Sequence, residues 1–478
     1  PEVVAPRQEI TAPTHTQEVV VENSVFRATI TSAGARLKQL ELKDYRTAAP
    51  KDAPPVTLVE SGPDRLATLR TGGLDGFDIP VDLPYALDFK ENHVKLAAGE
   101  SRTLTFLAPL PNGLMVEKVF TFHGDRYDFE LQLRLLNQSE SSRSGILAVS
   151  LVEPWSEARE GKNYEFVGAS TLVGEKLHQD DVDDLGKGRE YGPGVVWTGF
   201  GNRYFLSAII PLGTAAEKVR LEMADSLILS HVFTPYQTIA PGGMAEYRYL
   251  FYFGPKDLDV LQGVGNQMTE IVDFGIFAII AKPLLHSLKF FNGFLHNYGL
   301  AIILLTMIIK LIFWPLTQKS YSSMKNMQKL QPEMQKIREK FKGDRERLNK
   351  EIMELYKKHR VNPLGGCLPM VVQIPVFFAL YKVLMESIEV RHAPFYFWIQ
   401  DLAAKDPYYI TPIIMGATMF IQQKMTPTTM DPTQAKLFML MPVIFTFMFL
   451  NFPSGLVLYW LVNNLLTIGQ QALINRKP

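Results

Sequence analysis

One lysine dominates the chemistry this chain could do. Lys310 stands in Ile302–Thr317 (IILLTMIIKLIFWPLT), an otherwise uncharged apolar stretch. An ionisable residue inside a membrane span costs roughly 2.5–3.5 kcal/mol on insertion scales, so it needs a reason. Lys319 follows nine residues later, about 13 Å along a helix at about 1.5 Å per residue. Two readings compete. Lys310 snorkels its amine towards lipid phosphates, or it is a cation in a water-filled cavity that attracts acidic and polar segments. Thr306, one turn earlier, shares its face. Gln373 lies in a second apolar stretch, and Asn463, Thr467 and Gln470 recur at i, i+4 and i+7 in the last one. Such groups are expensive in lipid unless they meet water or a partner. Hydrogen bonding between tightly packed helices accounts for the amides. It accounts poorly for Lys310, because Glu386 and Glu389 lie near the far end of their span.

Other chemistry is sparse. The single cysteine, Cys367, excludes an intramolecular disulfide and any CxxC site. The nine histidines form no HExxH and no close pair at ligand spacing. No metal or cofactor is expected. No GxxxxGK[ST] phosphate loop occurs, so the driving force must come from burial of apolar surface and from the membrane potential. Ser454, beside Gly455, and Cys367 are the candidate nucleophiles of an intramembrane enzyme. No histidine falls within any expected span to activate them, and the chain is read as a non-enzyme. Trp155 and Trp197 would suit a sugar-binding sandwich, but a structural or partner-docking role is preferred.

The elements that must position these residues divide sharply. The net charge is zero and 47% of residues are hydrophobic, yet the apolar residues concentrate after about residue 270. The opening, Pro1 to Thr16, is rich in Pro, Thr and Val and reads as a linker, with an export signal or anchor helix expected upstream. Val19 to Gly265 is β-like. Val116–Leu136 reads as two alternating strands around His123-Gly124-Asp125. Many such strands, punctuated by Gly, Pro, Asn and Asp, predict a large antiparallel sandwich.

From Asn266 the pattern changes. Asp273–Phe294 carries Ile276, Phe277, Ile280, Leu284, Leu288 and Phe291 on one helical face, as in a helix lying in the bilayer interface. Five apolar stretches follow: Tyr298–Leu316, Leu364–Ile388, Tyr408–Ile421, Leu437–Phe452 and Gly455–Ile474. They predict five spans, several shorter than the roughly 20 residues a bilayer core needs, so the membrane should thin locally. Lys319–Arg360 holds 13 Lys/Arg against 6 Asp/Glu, a net +7, and the next loop, Glu389–Asp406, is net −1. By the positive-inside rule the basic segment and the C-terminus are cytoplasmic and the β-domain lies outside. The basic segment reads as two antiparallel helices joined near Gly343, held by a Met-rich seam and capped at Asn362-Pro363. Its charge suits lipid head groups or ribosomal RNA.

The blocks Asn362–Pro375 (NPLGGCLPMVVQIP), Asp406–Met425 (DPYYITPIIMGATMFIQQKM) and Phe452–Trp460 (FPSGLVLYW), with the Lys310 helix, VENSVFRATIT and GARLKQLELKDY, resemble the YidC/Oxa1/Alb3 family of membrane protein insertases in its Gram-negative form. That resemblance implies a multi-domain membrane protein. A large all-β periplasmic sandwich of the supersandwich type would precede an α-helical transmembrane core of five helices with a cytoplasmic helical hairpin. It implies an inner-membrane insertase and folding chaperone, acting alone or with the Sec translocon through a hydrophilic groove open to cytoplasm and lipid. The groove residues would be Lys310, Thr306, Gln373, Asn463 and Thr467. Phe377, Met448, Tyr459 and Trp460 would line a greasy substrate slide on the outer faces of the helices. Lys310 stands where many relatives carry Arg, which keeps the charge but loses the planar fork. Trp460 stands where relatives often carry Tyr. The implied partners are nascent membrane proteins, ribosome–nascent chain complexes, the SecYEG translocon and phospholipids, with a monomer sufficient. The competing class is a solute transporter or channel built on the same polar residues, although no inverted repeat is visible.

The expected partition is a linker (1–18), the periplasmic β-sandwich (19–265) and an interfacial helix (266–297). A span (298–318), the cytoplasmic hairpin (319–362), a second span (363–388) and a periplasmic loop (389–407) follow. The third span (408–424), a cytoplasmic loop (425–436), two further spans (437–452 and 453–474) and a cytoplasmic tail (475–478) complete it.

Overall fold

A computed structural model describes residues 15–61, 67–89, 91–155, 168–341, 343–359, 361, 368–426 and 432–476. The proposed cap Asn362-Pro363, Cys367, and most of the opening linker lie outside them. The chain forms two compact units, 1–272 and 273–478.

The first unit is almost entirely β. Its strands are β1 Glu18–Glu22, β2 Phe26–Thr31, β3 Arg36–Arg46, β4 Pro55–Glu60, β5 Arg70–Leu74, β6 Ala86–Leu87, β7 His93–Lys95 and β8 Ser101–Pro109. After these come β9 Leu114–His123, β10 Asp128–Asn137, β11 Arg143–Pro154, β12 Gly168–Val173 and β13 Lys176–Asp181. The last are β14 Arg189–Tyr191, β15 Val195–Gly201, β16 Phe205–Leu212, β17 Lys218–Ala224, β18 Leu227–Phe233, β19 Gln237–Ile239 and β20 Met244–Pro255. Short helices α1 (Val182–Leu185) and α2 (Leu258–Val264) complete it.

Three sheets result. One has the order β4-β3-β2-β1-β7, one β13-β12-β15-β16-β20-β10-β9-β8-β6, and one β14-β17-β18-β11-β19 with β5 also paired to β11. The expected all-β sandwich is present. Alternation sets the registers: in β9, Val116, Phe120 and Phe122 are buried between more exposed neighbours, so a one-residue slip would expose the whole set. Phe26 of the five-stranded sheet packs edge-on against Phe122 and Phe129 of the nine-stranded one, at 6.4 and 6.5 Å between ring centroids. That aromatic cluster is the core between the two layers.

The second unit is helical: α3 Ala278–Leu295, α4 Tyr298–Ile312, α5 Trp314–Lys329, α6 Gln331–Lys340, α7 Arg345–Lys358, α8 Leu368–Glu386, α9 Ile410–Met425, α10 Pro432–Phe449 and α11 Ser454–Arg476. Among the described residues no single helix is long and apolar enough to cross a membrane. The pair α4 and α5 meets that requirement together, across a 60° bend. The helix expected over 298–318 is thus divided between α4 and α5. Helix α4 ends at Ile312, and Pro315, in the first turn of α5, cannot supply the amide that a continuous helix would need. Met327, Leu330, Met334, Leu355 and Tyr356 bury one another between the arms of the hairpin, so the Met-rich seam is real, although its first arm is broken at Leu330.

Two local devices fix the helices that frame the site. Asp406 is fully buried. It accepts hydrogen bonds from the Thr411 amide (2.7 Å) and hydroxyl (2.6 Å), the Tyr408 amide (2.9 Å) and Trp398 Nε1 (3.0 Å), which sets the start of α9. The same loop anchors α11, because the Ser454 amide donates to Ala404 O at 2.7 Å and the Gly455 amide to Leu402 O at 2.9 Å. Elsewhere Gly416 of α9 lets α10 approach so closely that a Cβ there would lie 1.9 Å from Thr446 Oγ1. Gly416→Ala should cost about 1–3 kcal/mol through overpacking, read as a lower melting temperature in detergent. Adding Thr446→Ala should recover part of the loss; no recovery would show that the contact is not the cause.

Candidate functional site

Lys310 lies in the last turn of α4, a helix opened by Asn297, whose side chain accepts from the Leu300 amide at 3.1 Å. It is half-buried, and its Nζ donates to Thr467 Oγ1 of α11 at 2.8 Å. Thr467 donates in turn to Asn463 O at 2.6 Å, and Gln373 Nε2 of α8 donates to Asn463 Oδ1 at 2.8 Å. Four of the five expected groove residues thus form one hydrogen-bonded chain across α4, α11 and α8. Among the described residues no carboxylate pairs with Lys310. Its partner is a neutral hydroxyl, so the charge is solvated but not neutralised.

Thr306 behaves differently. It shares the Lys310 face but is buried at 1% exposure, and its hydroxyl donates back to Ile302 O at 2.6 Å. It packs beneath the chain without joining it.

Helix α11 carries a second polar row that the sequence reading missed. Asn464 Nδ2 donates to Thr418 Oγ1 of α9 at 3.3 Å, and Gln471 Nε2 to Thr426 Oγ1 at 2.9 Å and to the Tyr321 hydroxyl. Both are buried. The available signal was the pair of doublets Asn463-Asn464 and Gln470-Gln471, seven residues apart. Two such doublets place amides on two adjoining faces of one helix. Gln470 reaches Trp314 O at 3.5 Å, at the bend between α4 and α5.

The aromatic residues gather beside this chain. Phe377 meets Trp460 edge-on at 4.8 Å and stacks on Tyr459 at 6.4 Å. Trp460 also packs on Phe445 and Phe449. Tyr459 is only 1% exposed, so it is corrected from an outer-face residue to a core one. Its ring lies against Phe377 of α8, and among the described residues its buried hydroxyl has no hydrogen-bond partner. Met448 is exposed, with Leu440, Ile444 and Phe447 beside it on α10.

Ser454 donates its hydroxyl to Ala404 O at 2.7 Å. Among the described residues no cluster of three or more His, Cys, Asp or Glu could hold a metal. Trp197 is completely buried and offers no platform for a sugar.

Comparison with known proteins follows this division. The model of the YidC periplasmic domain matches residues 18–287, and that of the 60Kd inner membrane protein family matches 290–478. The membrane protein insertase YidC of Geotalea uraniireducens is 48% identical over 96% of this chain and 87% of its own length. That of Geobacter sulfurreducens is 48% identical over 95% of this chain and 85% of its own, and that of Syntrophus aciditrophicus 44% identical over 96% and 85%. A solved structure of an active YidC insertase with its first transmembrane domain resolved aligns over 96% of this chain and 93% of its own, at 18% identity and a TM-score of 0.40.

Proposed function

The chain belongs to the YidC family of membrane protein insertases, and from that premise we propose a mechanism for its own residues. It is an inner-membrane protein with a periplasmic β-domain, and its substrates are nascent membrane proteins. Lys310, held out by Thr467 and flanked by Asn463 and Gln373, receives the polar or acidic segment that must cross. The single observation that carries this reading is that, among the described residues, Lys310 is partnered by a hydroxyl and by no carboxylate. An incoming carboxylate displaces one neutral acceptor and gains a charge-assisted bond. The substrate's apolar segment meanwhile moves against the exposed face of α10 around Met448. Phe377 and Trp460 form its inner edge, and Tyr459 backs them from within. Transfer of that segment out of water, at roughly 25 cal/mol per Å², supplies the drive, and no reaction of the protein's own is required.

The rest of the reading concerns arrangement. The helical unit is multi-pass, with the hairpin of α5, α6 and α7 and the C-terminus in the cytoplasm. The net +7 of residues 319–360 supports that side, and suits contact with ribosomes and anionic phospholipids. Work beside the SecYEG translocon is compatible with a site that opens sideways to lipid. Liposomes containing only the purified chain should insert a single-span substrate with a short acidic tail, without nucleotide, as judged by protease protection of the tail. Insertion only on addition of ATP would overturn the proposal. Ion conductance across sealed liposomes without substrate would favour the channel alternative.

A further inference from the structure

Inside the β-domain, strands from three different sheets carry three cations that sense one another, the charge of Arg36 acting on both Arg70 and Lys118. Arg36 opens β3, Arg70 opens β5, and Lys118 lies in the middle of β9. Lys118 is wholly buried, donates to Gly34 O at 2.7 Å and Ala35 O at 3.2 Å, and sits 5.3 Å from the centre of the Tyr85 ring. Burial holds its amine well below its ordinary pKa, and the charge of Arg36 pushes in the same direction. Arg36 is 6% exposed. Its Nε donates to Ala33 O at 3.0 Å and its Nη2 to Asp82 Oδ1 at 2.8 Å, while Nη1 is buried without a partner.

Arg70 is the more telling residue. Its Nε and Nη2 are both buried, and among the described residues neither has a partner. These two atoms lie along one edge of the guanidinium and point two N–H bonds the same way. Arg126 of the same domain uses that same pair to grip Asp128, Nε to Oδ1 at 3.1 Å and Nη2 to Oδ2. Arg70 therefore presents a two-toothed donor edge of the kind that grips an oxyanion.

Among the described residues the surroundings supply no free internal acceptor. Strand registers place Arg70 opposite Ser150, Ser150 opposite His231, His231 opposite Arg220, and Arg220 opposite Glu190, a polar row on one face of the sheet. Its acids are already engaged. Glu222 accepts from Arg220 Nε at 2.9 Å and lies 3.4 Å from His231 Nε2, while Glu190 lies by Lys218 and Arg220. Ser150 is bonded to His231 Nδ1 at 2.7 Å. Asp82 is held by Arg36, with its side chain 73% exposed. Arg36 and Arg70, with Lys118 beside them, thus outnumber the one carboxylate that acts on them among the described residues, Asp82. A buried cationic edge that has given up its water without an acceptor is costly.

We infer that Arg70, with Arg36 contributing, is the receptor for one small oxyanion of the carboxylate or phosphate type, seated within the β-domain. The donor atoms are too deeply buried for a macromolecule, and the excess of cations favours a compact anion. The anion joins β3 and β5, and so ties two sheets together.

The test uses the full chain in detergent, dialysed into chloride buffer free of oxyanions. Thermal unfolding is followed while formate, acetate, phosphate or sulfate replaces chloride at constant ionic strength. The melting temperature should rise saturably. The carboxylate and phosphate arms identify which oxyanion the fork prefers. Arg70→Gln should abolish the response. Asp82→Asn, which removes the competing carboxylate at the surface, should tighten the apparent affinity about tenfold. A wild type with no saturable response, or an Arg70→Gln protein with the same response, overturns the proposal. If Arg70→Gln does not accumulate as folded protein, Asp82→Asn decides, and unchanged affinity overturns it equally.

Discussion

Lys310→Glu lowers insertion of a substrate with a short acidic tail at least tenfold, while Lys310→Arg keeps it within about twofold. The expectation follows from what faces Lys310. Its partner is the Thr467 hydroxyl at 2.8 Å, so the charge is free to act on a newcomer. Two opposite charges about 4 Å apart interact by about 4 kcal/mol at an effective dielectric constant of about 20. Solvation and side-chain entropy remove much of that, and a residual of about 1.4 kcal/mol is already tenfold. Glutamate reverses the sign and repels the tail. Alanine removes the attraction and should fall between, nearer glutamate. Arginine keeps the charge and adds the planar fork. The four proteins, reconstituted at equal density, are compared by protease protection of the tail. Equal insertion by all four would reduce Lys310 to a snorkelling lysine and leave the apolar face of α10 to carry the mechanism.

Asp406→Ala should be the most destabilising single change in the loop before α9. The carboxylate accepts two bonds from Thr411, one from Tyr408 and one from Trp398, all at 3.0 Å or less. Removing it strands donors that are already out of water, at about 1–3 kcal/mol each, and about 3–5 kcal/mol in total is expected because the loop relaxes. Since that loop also anchors the start of α11, α9 and α11 should loosen together. Burial by itself raises the Asp406 pKa; the bonds from Thr411, Tyr408 and Trp398 outweigh it and hold the carboxyl below its ordinary value. Its contribution to stability is therefore full above the ordinary carboxylate pKa and is lost as pH falls through the lower, folded value. Melting curves between about pH 6 and pH 3 should show wild type converging on Asp406→Asn from above. Parallel curves for the two proteins would mean that the carboxylate is not the group titrating.

What could be read from the sequence was what repetition encodes. The alternation through Val116–Leu136 marked β9 and β10 because side-chain direction reverses with every residue. The spacing of Asn463 and Thr467 marked one polar face of α11, and Met327, Met334 and Tyr356 marked the hairpin seam. The hidden parts depend on partners far along the chain. Nothing local distinguishes Tyr459, which is buried behind Phe377, from Trp460, which is half-exposed. The break at Phe313 has only Pro315 as its sign, and a proline in the first turn of a helix is equally compatible with an uninterrupted span before it. Thr306 lay on the right face, but its hydroxyl bonds to its own backbone, a choice that spacing cannot reveal.

The place of β20 has a consequence for the order in which the β-domain assembles. It is the last strand in the chain, yet it sits in the middle of the nine-stranded sheet, with β10 on one side and β16 on the other. The meander of β8, β9 and β10 and that of β12, β13, β15 and β16 form from near neighbours, but each keeps an open edge until residues 244–255 arrive. Joining sequence-distant strands is slow, because chain entropy is lost before contacts repay it. Synthesised from its N-terminus, the domain therefore passes through a stage with two exposed edges, each complementary to the same missing strand. Closure comes only when the segment directly ahead of the helical unit has arrived, so completion of the sheet reports that the whole β-domain has been delivered.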